Sequence, residues 1–330
     1  MVTLETAVVL FTRDLRVHDN PALAAAHREA GRVVHLFVRD ASFPAPPRRL
    51  AFLERLLAEI PDLRVAQGDP VEEVARFAPD VVHCAEDASP YARRRERRLA
   101  ELFDVRLHPG VTIVPFDELK TYRVFSPYFR VWSQVPRRAL EDPPFAATRP
   151  RFEDDHLSPY LHFGALSPLE CAAERPELVR KLAWRDFYAQ LLRAEPHRFA
   201  IKGAEPGGEL FDAWRERRTG YAVVDAGLRQ LELEGWLPNR VRMIVASFLV
   251  HDLGIDWRLG ARHFEELLLD ADVASNRGNW LWVAANTRRV FNPLRQADAL
   301  QEYVREWADP DVQHSPIVPE EALAVRRSRR

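Results

Sequence analysis

Cysteine is scarce here, with only Cys84 and Cys171 in 330 residues. They lie far apart, and neither shows the Cys-x-x-Cys or Cys/His spacing of a zinc or iron–sulfur site, so no metal centre of that kind is expected. The usage fits a reducing compartment, and a cytoplasmic location is expected. No apolar run approaches the ~18–20 uninterrupted residues that cross a bilayer. The opening Met1-Val-Thr-Leu-Glu-Thr6 also lacks a basic region followed by an apolar run, so neither secretion nor membrane spanning is indicated. Lysine is nearly absent: Lys120, Lys181 and Lys202 are the only three among 47 basic side chains. Arginine holds phosphate bidentately where lysine acts as a point charge, although an arginine excess is equally a mark of genome composition. The formal charge of −2 means that any affinity for nucleic acid has to come from a local basic surface. Finally, no Gly-x-Gly-x-x-Gly follows the first apolar run, which excludes the usual dinucleotide fingerprint from that half of the chain.

What is present is core-forming material. Apolar residues make up 47% and aromatics 10%, enough for two ordinary domains with at least one large core. In the first third, Ala7-Val-Val-Leu-Phe11, Val33-Val-His-Leu-Phe-Val38, Leu63-Arg-Val65, Val81-Val-His-Cys84 and Val105-Arg-Leu107 read as strands, with apolar helices such as Leu50 to Ile60 between them. Strand, helix, strand at this spacing predicts a parallel, Rossmann-like sheet with right-handed crossovers. After Pro115, the residues Pro127, Pro136, Pro143, Pro144 and Pro150 break any long helix and read as an interdomain connection. From Leu157 helical periodicity dominates: Glu177 to Leu192, Val223 to Glu234 stopped at Gly235, Asn239 to Leu253 stopped at Gly254, and Ala261 to Leu269. The expected organisation is an α/β domain over 1–115, a linker over 116–156, an all-α domain over 157–310 and a tail over 311–330. The tail ends Arg326-Arg-Ser-Arg-Arg330, the pattern of a mobile terminus.

The stretch that carries chemistry runs from Asn239 to Trp282. An apolar helix bearing Asn239, Arg242 and Met243 is followed by Asp256-Trp257-Arg258, then by Asp270-Ala-Asp272-Val-Ala-Ser-Asn276-Arg-Gly-Asn-Trp280-Leu-Trp282. Two acids, one amide and three tryptophans in so short a span point to a buried, redox-capable cofactor site. A plainer reading stands beside it, with Arg242 and Asp270 as a structural ion pair, Asn276 as a helix cap and each tryptophan as core.

This stretch closely resembles the flavin half of the DNA photolyase and cryptochrome family, where it is written as an NRxRM helix, a DW pair and DxDxAxNxGxWxW. Three other segments share the resemblance. Thr12-Arg-Asp-Leu-Arg16-Val-His-Asp19-Asn20-Pro-Ala-Leu23 is similar to the family's RDLRxxDNxAL opening. Tyr122-Arg-Val-Phe-Ser-Pro-Tyr-Phe-Arg-Val-Trp132 is similar to YxVFTPFxxxW, and Trp184-Arg185-Asp186-Phe187-Tyr188 to WREFY with the Glu shortened to Asp. The likeness spans residues 7 to 307. It implies FAD among the C-terminal helices, damaged DNA as partner, a monomer, and light-driven repair of pyrimidine dimers. The alternatives are a cryptochrome-like blue-light photoreceptor without repair, and a degenerate member that holds little flavin.

On the same resemblance Ser158, Arg185, Asn239, Arg242, Phe264, Asp270, Asp272 and Asn276 hold the cofactor. Arg242 and Asp270 pair over the isoalloxazine ring, Asp272 meets the polar edge, and the amide oxygen of Asn276 faces N5. Trp280 and Trp257 match the first two members of an electron-hopping chain. The third, due near Ala204, is missing, so photoreduction is expected to be slow or to use another donor. Trp257, Trp280 and Asn276 are therefore the expected catalytic residues. Lys181, Trp184, Asn239, Met243 and Trp282 are the expected walls of the cavity that receives the extruded bases. Two departures qualify this picture. The family's TSRLSPYLxxG phosphate loop reads Asp154-Asp155-His156-Leu157-Ser158-Pro159-Tyr160-Leu161-His162-Phe163-Gly164, and two acids near a diphosphate predict weaker binding. Lys181 stands where the family places a Glu, and a lysine offers three donors and no acceptor. An antenna pigment, folate or deazaflavin, would dock near Arg13, Glu86 and Asp87, but the residues do not identify one.

Overall fold

In the computed structural model the described residues are 4–40, 45–146, 156–287, 290–309 and 314–323. The chain divides into two compact units, Met1–Arg198 and Phe199–Arg330.

The first unit is built on five parallel strands: β1 (Leu4–Phe11), β2 (Ala30–Arg39), β3 (Arg64–Gln67), β4 (Val81–Ala85) and β5 (Val105–His108), in the order β3-β2-β1-β4-β5. All five predicted strands are present. Each runs one to three residues beyond its apolar run at one or both ends, because the ladder continues through polar residues; Leu4 pairs with Ala30 and Thr6 with Arg32. β1 sits at the centre, and Ala7 to Phe11 are at most 1% exposed. Its alternation feeds two cores. Ala7, Val9 and Phe11 join a cluster with Leu23, Ala26, Leu56 and Leu57, whereas Val8 and Leu10 join Val71, Val74 and Leu99 on the other face. A strand apolar on both faces is what a sheet covered by helices on both sides requires.

The helices α1 (Pro21–Glu29), α2 (Pro47–Leu57), α3 (Pro70–Ala75) and α4 (Pro90–Ala100) each open on proline. Proline suits the first helical turn, where its missing N–H would have had no partner. Asn20, Asp69 and Ser89 precede three of these prolines and accept from backbone N–H groups inside the first turn. The unit then adds α5 (Phe125–Trp132), α6 (Leu157–Phe163), α7 (Pro168–Glu174), a 3₁₀ turn at Pro176–Leu178 and α8 (Val179–Ala194). The helix expected from Glu177 thus starts at Val179, after the turn opened by Pro176.

The Arg-Asp-Leu-Arg segment is a knot that ties the sheet edge to α6. Buried Arg16 donates to the carbonyls of Asp19, Gly110 and Gly164 at 2.9–3.0 Å. Gly164 sits at φ 72°, and a Cβ there would lie 1.8 Å from the Arg13 carbonyl oxygen, so glycine is demanded by both conformation and space.

The second unit is helical: α9 (Gly208–Arg215), α10 (Ala222–Glu234), α11 (Asn239–Ser247), α12 (Trp257–Leu267), α13 (Val273–Ala285), α14 (Pro293–Ala299) and α15 (Gln301–Trp307). They surround one core that includes Trp214, Val241, Ile244, Val245, Phe248, Phe264 and Trp280. The helix predicted to run unbroken from Asn239 to Leu253 instead changes at Phe248–Asp252 into a π-helical turn. Widened turns of this type re-aim side chains and recur at functional sites. α12 begins at Trp257 rather than Ala261, because Asp256 caps it by accepting from Arg258 N–H at 2.9 Å. Residues left to the tail in the sequence reading also pack. Ile317 N–H donates to Thr219, the Tyr221 hydroxyl donates to the Val318 carbonyl at 2.6 Å, and Leu323 is buried. The terminal arginines lie outside the described residues.

Candidate functional site

The predicted residues fall in both units. In the second, Asn239 is exposed at the first turn of α11, with Arg242 and Met243 half-buried behind it. Arg242 donates to both oxygens of Asp270, at 3.0 and 2.8 Å, and its Nε donates to the Leu237 carbonyl at 2.9 Å. The fork-to-fork geometry fixes the guanidinium in plane and direction. Asp272 caps α13 by accepting from Ser275 N–H at 2.6 Å.

Four residues along α13, Asn276 is almost fully buried. Its Nδ2 donates to the Ala261 carbonyl at 3.0 Å and to Glu265 Oε1 at 3.3 Å. Both neighbours are acceptors, so the amide must turn its nitrogen toward them and its oxygen away. Among the described residues the oxygen has no protein partner. It is an acceptor held in one orientation. The sequence reading leaves capping open for Asn276; the capping role on α13 belongs to Asp272, four residues earlier.

Trp280 is buried in the core, edge-on to Phe264 at 5.1 Å between ring centres and to Trp214 at 6.4 Å. Gly260 permits this packing, since a Cβ there would come within 2.2 Å of Trp280 and 2.6 Å of Leu249. Trp257, Trp282 and Met243 are half-buried against the same core. Among the described residues no helix is long and apolar enough to cross a membrane, and no group of three or more His, Cys, Asp or Glu side chains is arranged to hold a metal ion.

In the first unit, Ser158 is half-buried at the second position of α6 and Lys181 is exposed on α8. Trp184 is half-buried, with one ring face covered by Phe125 at 3.7 Å and 6° between planes. Arg180 stands over Phe125 and Phe129, adding cation–π contacts behind the stack. Arg185 donates to the carbonyls of Val111 and, at 3.0 Å, Leu161. Asp186 is sealed beneath: its Oδ2 accepts from Ile113 N–H, Val114 N–H and Trp132 Nε1 at 2.9–3.1 Å. Burial raises its carboxyl to about 6, and Arg185 and the N–H donors offset only part of that rise. Of the residues near which an antenna pigment would dock, Arg13 pairs with Asp87 at 3.4 Å and Glu86 with Arg193 at 2.6 Å. Asp154 and Asp155 lie outside the described residues.

Sequence reading alone misses Phe125, Asp186, Glu265 and Arg277 as supports. Phe125 and Asp186 sit inside recognised segments, and their roles could have been sought there. The pairing of Glu265 with Arg277 has no local signal.

Comparison with known proteins gives this geometry a family. Residues 7–148 match the model of "DNA photolyase", and residues 178–317 match that of the "FAD binding domain of DNA photolyase". A deoxyribodipyrimidine photo-lyase of Streptomyces griseus is 37% identical, over 92% of this chain and 89% of that protein. The chain belongs to the DNA photolyase family. The crystal structure of an archaeal photolyase from Sulfolobus tokodaii with two FAD molecules is 28% identical, with a TM-score of 0.86, and covers 98% of this chain and 99% of that one. A cryptochrome of Synechocystis superposes with a TM-score of 0.83 at 22% identity, covering 99% of each chain; that likeness concerns the fold alone. The α/β-then-helical architecture is the photolyase fold. Within it the FAD-domain match takes in α8 through α15, and so includes every predicted site residue except Ser158.

Proposed function

We propose that this photolyase-family protein is a deoxyribodipyrimidine photo-lyase, acting on pyrimidine dimers in DNA as a monomer in the cytoplasm. The observation that carries the reading is the single-orientation amide of Asn276 on the helix that also bears Trp280, in the same helical unit as the clamped Arg242–Asp270 pair. Those groups fit FAD. An oriented acceptor without a protein partner matches a ring nitrogen that gains a proton on reduction, and a fixed guanidinium–carboxylate pair supplies direction to a polar, redox-active ring. When bound and reduced, FAD supplies the light-driven electron that splits the dimer and takes it back.

The protein's part is binding and exclusion. Arg242, Asp270, Asp272, Asn276 and Phe264 take the flavin ring, with Asn239 beside it. Ser158 and Arg185 are the remaining residues that this reading assigns to the cofactor. Trp257 and Trp280 serve as the relay that keeps the cofactor reduced. Enzymes that act on bases within a duplex, photolyases among them, extrude the target. Trp184, with one face already stacked on Phe125, and Trp282 are the rings on which extruded bases rest, each stack contributing ~1–3 kcal/mol. Lys181, Asn239 and Met243 complete the walls, and Lys181 acts as a donor only.

The test is light-dependent restoration of an oligonucleotide that contains a cyclobutane dimer, with purified protein, FAD and a dark control. Restoration only under blue light is expected. A protein that shows flavin absorption but restores nothing belongs instead to the photoreceptor class, and one that takes up no FAD in excess defeats the reading.

A further inference from the structure

The acceptor orientation of Asn276 has a cause on the neighbouring helix. Ala261 and Glu265 are one turn apart on α12 and present two acceptors in line, and the two hydrogens of the Asn276 amide reach one each. A backbone carbonyl alone leaves an amide free to pivot about its single contact. The Glu265 carboxylate adds the second contact, and it is itself held. Arg277, the next residue on α13, donates from Nε to Glu265 Oε1 at 2.6 Å and from Nη2 to Oε2 at 2.9 Å, while its Nη1 donates to the Phe199 carbonyl at 3.0 Å. Asn276, Glu265 and Arg277 thus close a ring across the α12–α13 pair, with both charged side chains about four-fifths buried. A bidentate pair of this kind is directional, and a carboxylate can only accept. Neither partner can be served by the amide oxygen.

We propose that Glu265, anchored by Arg277, is a positioning residue: it holds the Asn276 amide with its oxygen turned to the flavin's N5, and so favours the reduced, N5-protonated cofactor. This rests on the functional reading above. A plain helix clamp would also use Glu265 and Arg277, but its removal would change stability and affinity without passing through Asn276.

The test is a spectroelectrochemical titration of FAD bound to the full-length protein, alongside FAD affinity and thermal unfolding. In E265L the ratio of reduced to oxidised FAD at a fixed potential is expected to fall about fivefold, the size of one hydrogen bond. E265Q, whose amide can still offer an oxygen to Asn276, is expected to stay within about twofold of wild type. N276A is expected to show the same fall as E265L, and adding E265L to N276A is expected to add nothing. Such non-additivity marks residues that act through one another. If E265L does not accumulate as folded protein, R277L provides the second arm, with a fall in the same direction once the carboxylate loses its anchor. Bound FAD whose ratio is unmoved in E265L or R277L, or a shift as large in the N276A background as in wild type, overturns the positioning role alone. Failure of every variant and of wild type to bind FAD overturns the functional reading and this inference together.

Discussion

Two buried acids show how differently the two units hold a carboxylate. Asp270, in the helical unit, is clamped by both arms of Arg242. Asp186, two residues after Trp184 on α8, accepts three N–H donors on one oxygen, and among the described residues no arginine hydrogen-bonds to it. The first arrangement keeps a charge pair in a fixed direction, which on the proposed reading orients it toward a cofactor whose charge changes. The second uses a carboxyl group as a knot between α8, α5 and the loop at 111–114, and it tolerates a carboxyl pushed to about 6. One carboxylate is thus held by an opposite charge, and the other by backbone and indole N–H groups.

The sharpest way to break this contrast is Arg242→Leu. It leaves Asp270 buried without its clamp, and a loss of roughly 3–5 kcal/mol in urea unfolding is expected. A loss under about 1 kcal/mol would place Asp270 with the weak surface pairs instead.

Asp186→Asn tests the other side. A carboxyl whose folded value is raised above 3.8 favours the folded state most at low pH, and that advantage is lost as pH rises through about 6. Between about pH 4 and pH 7 the wild type is therefore expected to lose on the order of 3 kcal/mol relative to D186N. Asp225, raised to about 6 by burial, is common to both proteins and cancels. Parallel stability–pH curves would remove the special status of Asp186.

Gly260→Ala is expected to cost about 1–3 kcal/mol through overpacking against Trp280 and Leu249, measured by thermal unfolding. Trp280→Phe is the mildest for the fold, about 1–2 kcal/mol for the lost buried area. It is expected to slow photoreduction while FAD stays bound. Unchanged photoreduction kinetics would take Trp280 out of the relay.

Legibility in the sequence follows the range of the interaction. The five strands were readable because each is a short apolar run rich in β-branched residues, and the crossover helices because apolar helical pattern fills the stretches between them. The Arg242–Asp270 pairing, across 28 residues, was legible as a candidate ion pair, and its place over a flavin ring only through the resemblance. The π-helical turn at Phe248–Asp252 was not, because Phe, Leu, Val, His and Asp continue an α-helical pattern without a breaker. Glu265 and Arg277 read as two ordinary surface charges on separate helices. Only the packing of α12 on α13 brings them to one amide. Likewise the Asp186 knot joins positions 72 and 73 apart, which no local pattern encodes.

The placement of β1 carries a consequence for how the protein is made. β1, translated before the other four strands of the sheet, becomes its middle, with Ala7 paired to Val33 on one side and to Val81 on the other. Its second flank stays open until more than seventy further residues have been translated. Non-local parallel pairing of this sort is slow and exposes sticky surface meanwhile. Yield during rapid expression should therefore respond more to growth temperature and to chaperone supply than to any change near the flavin helices.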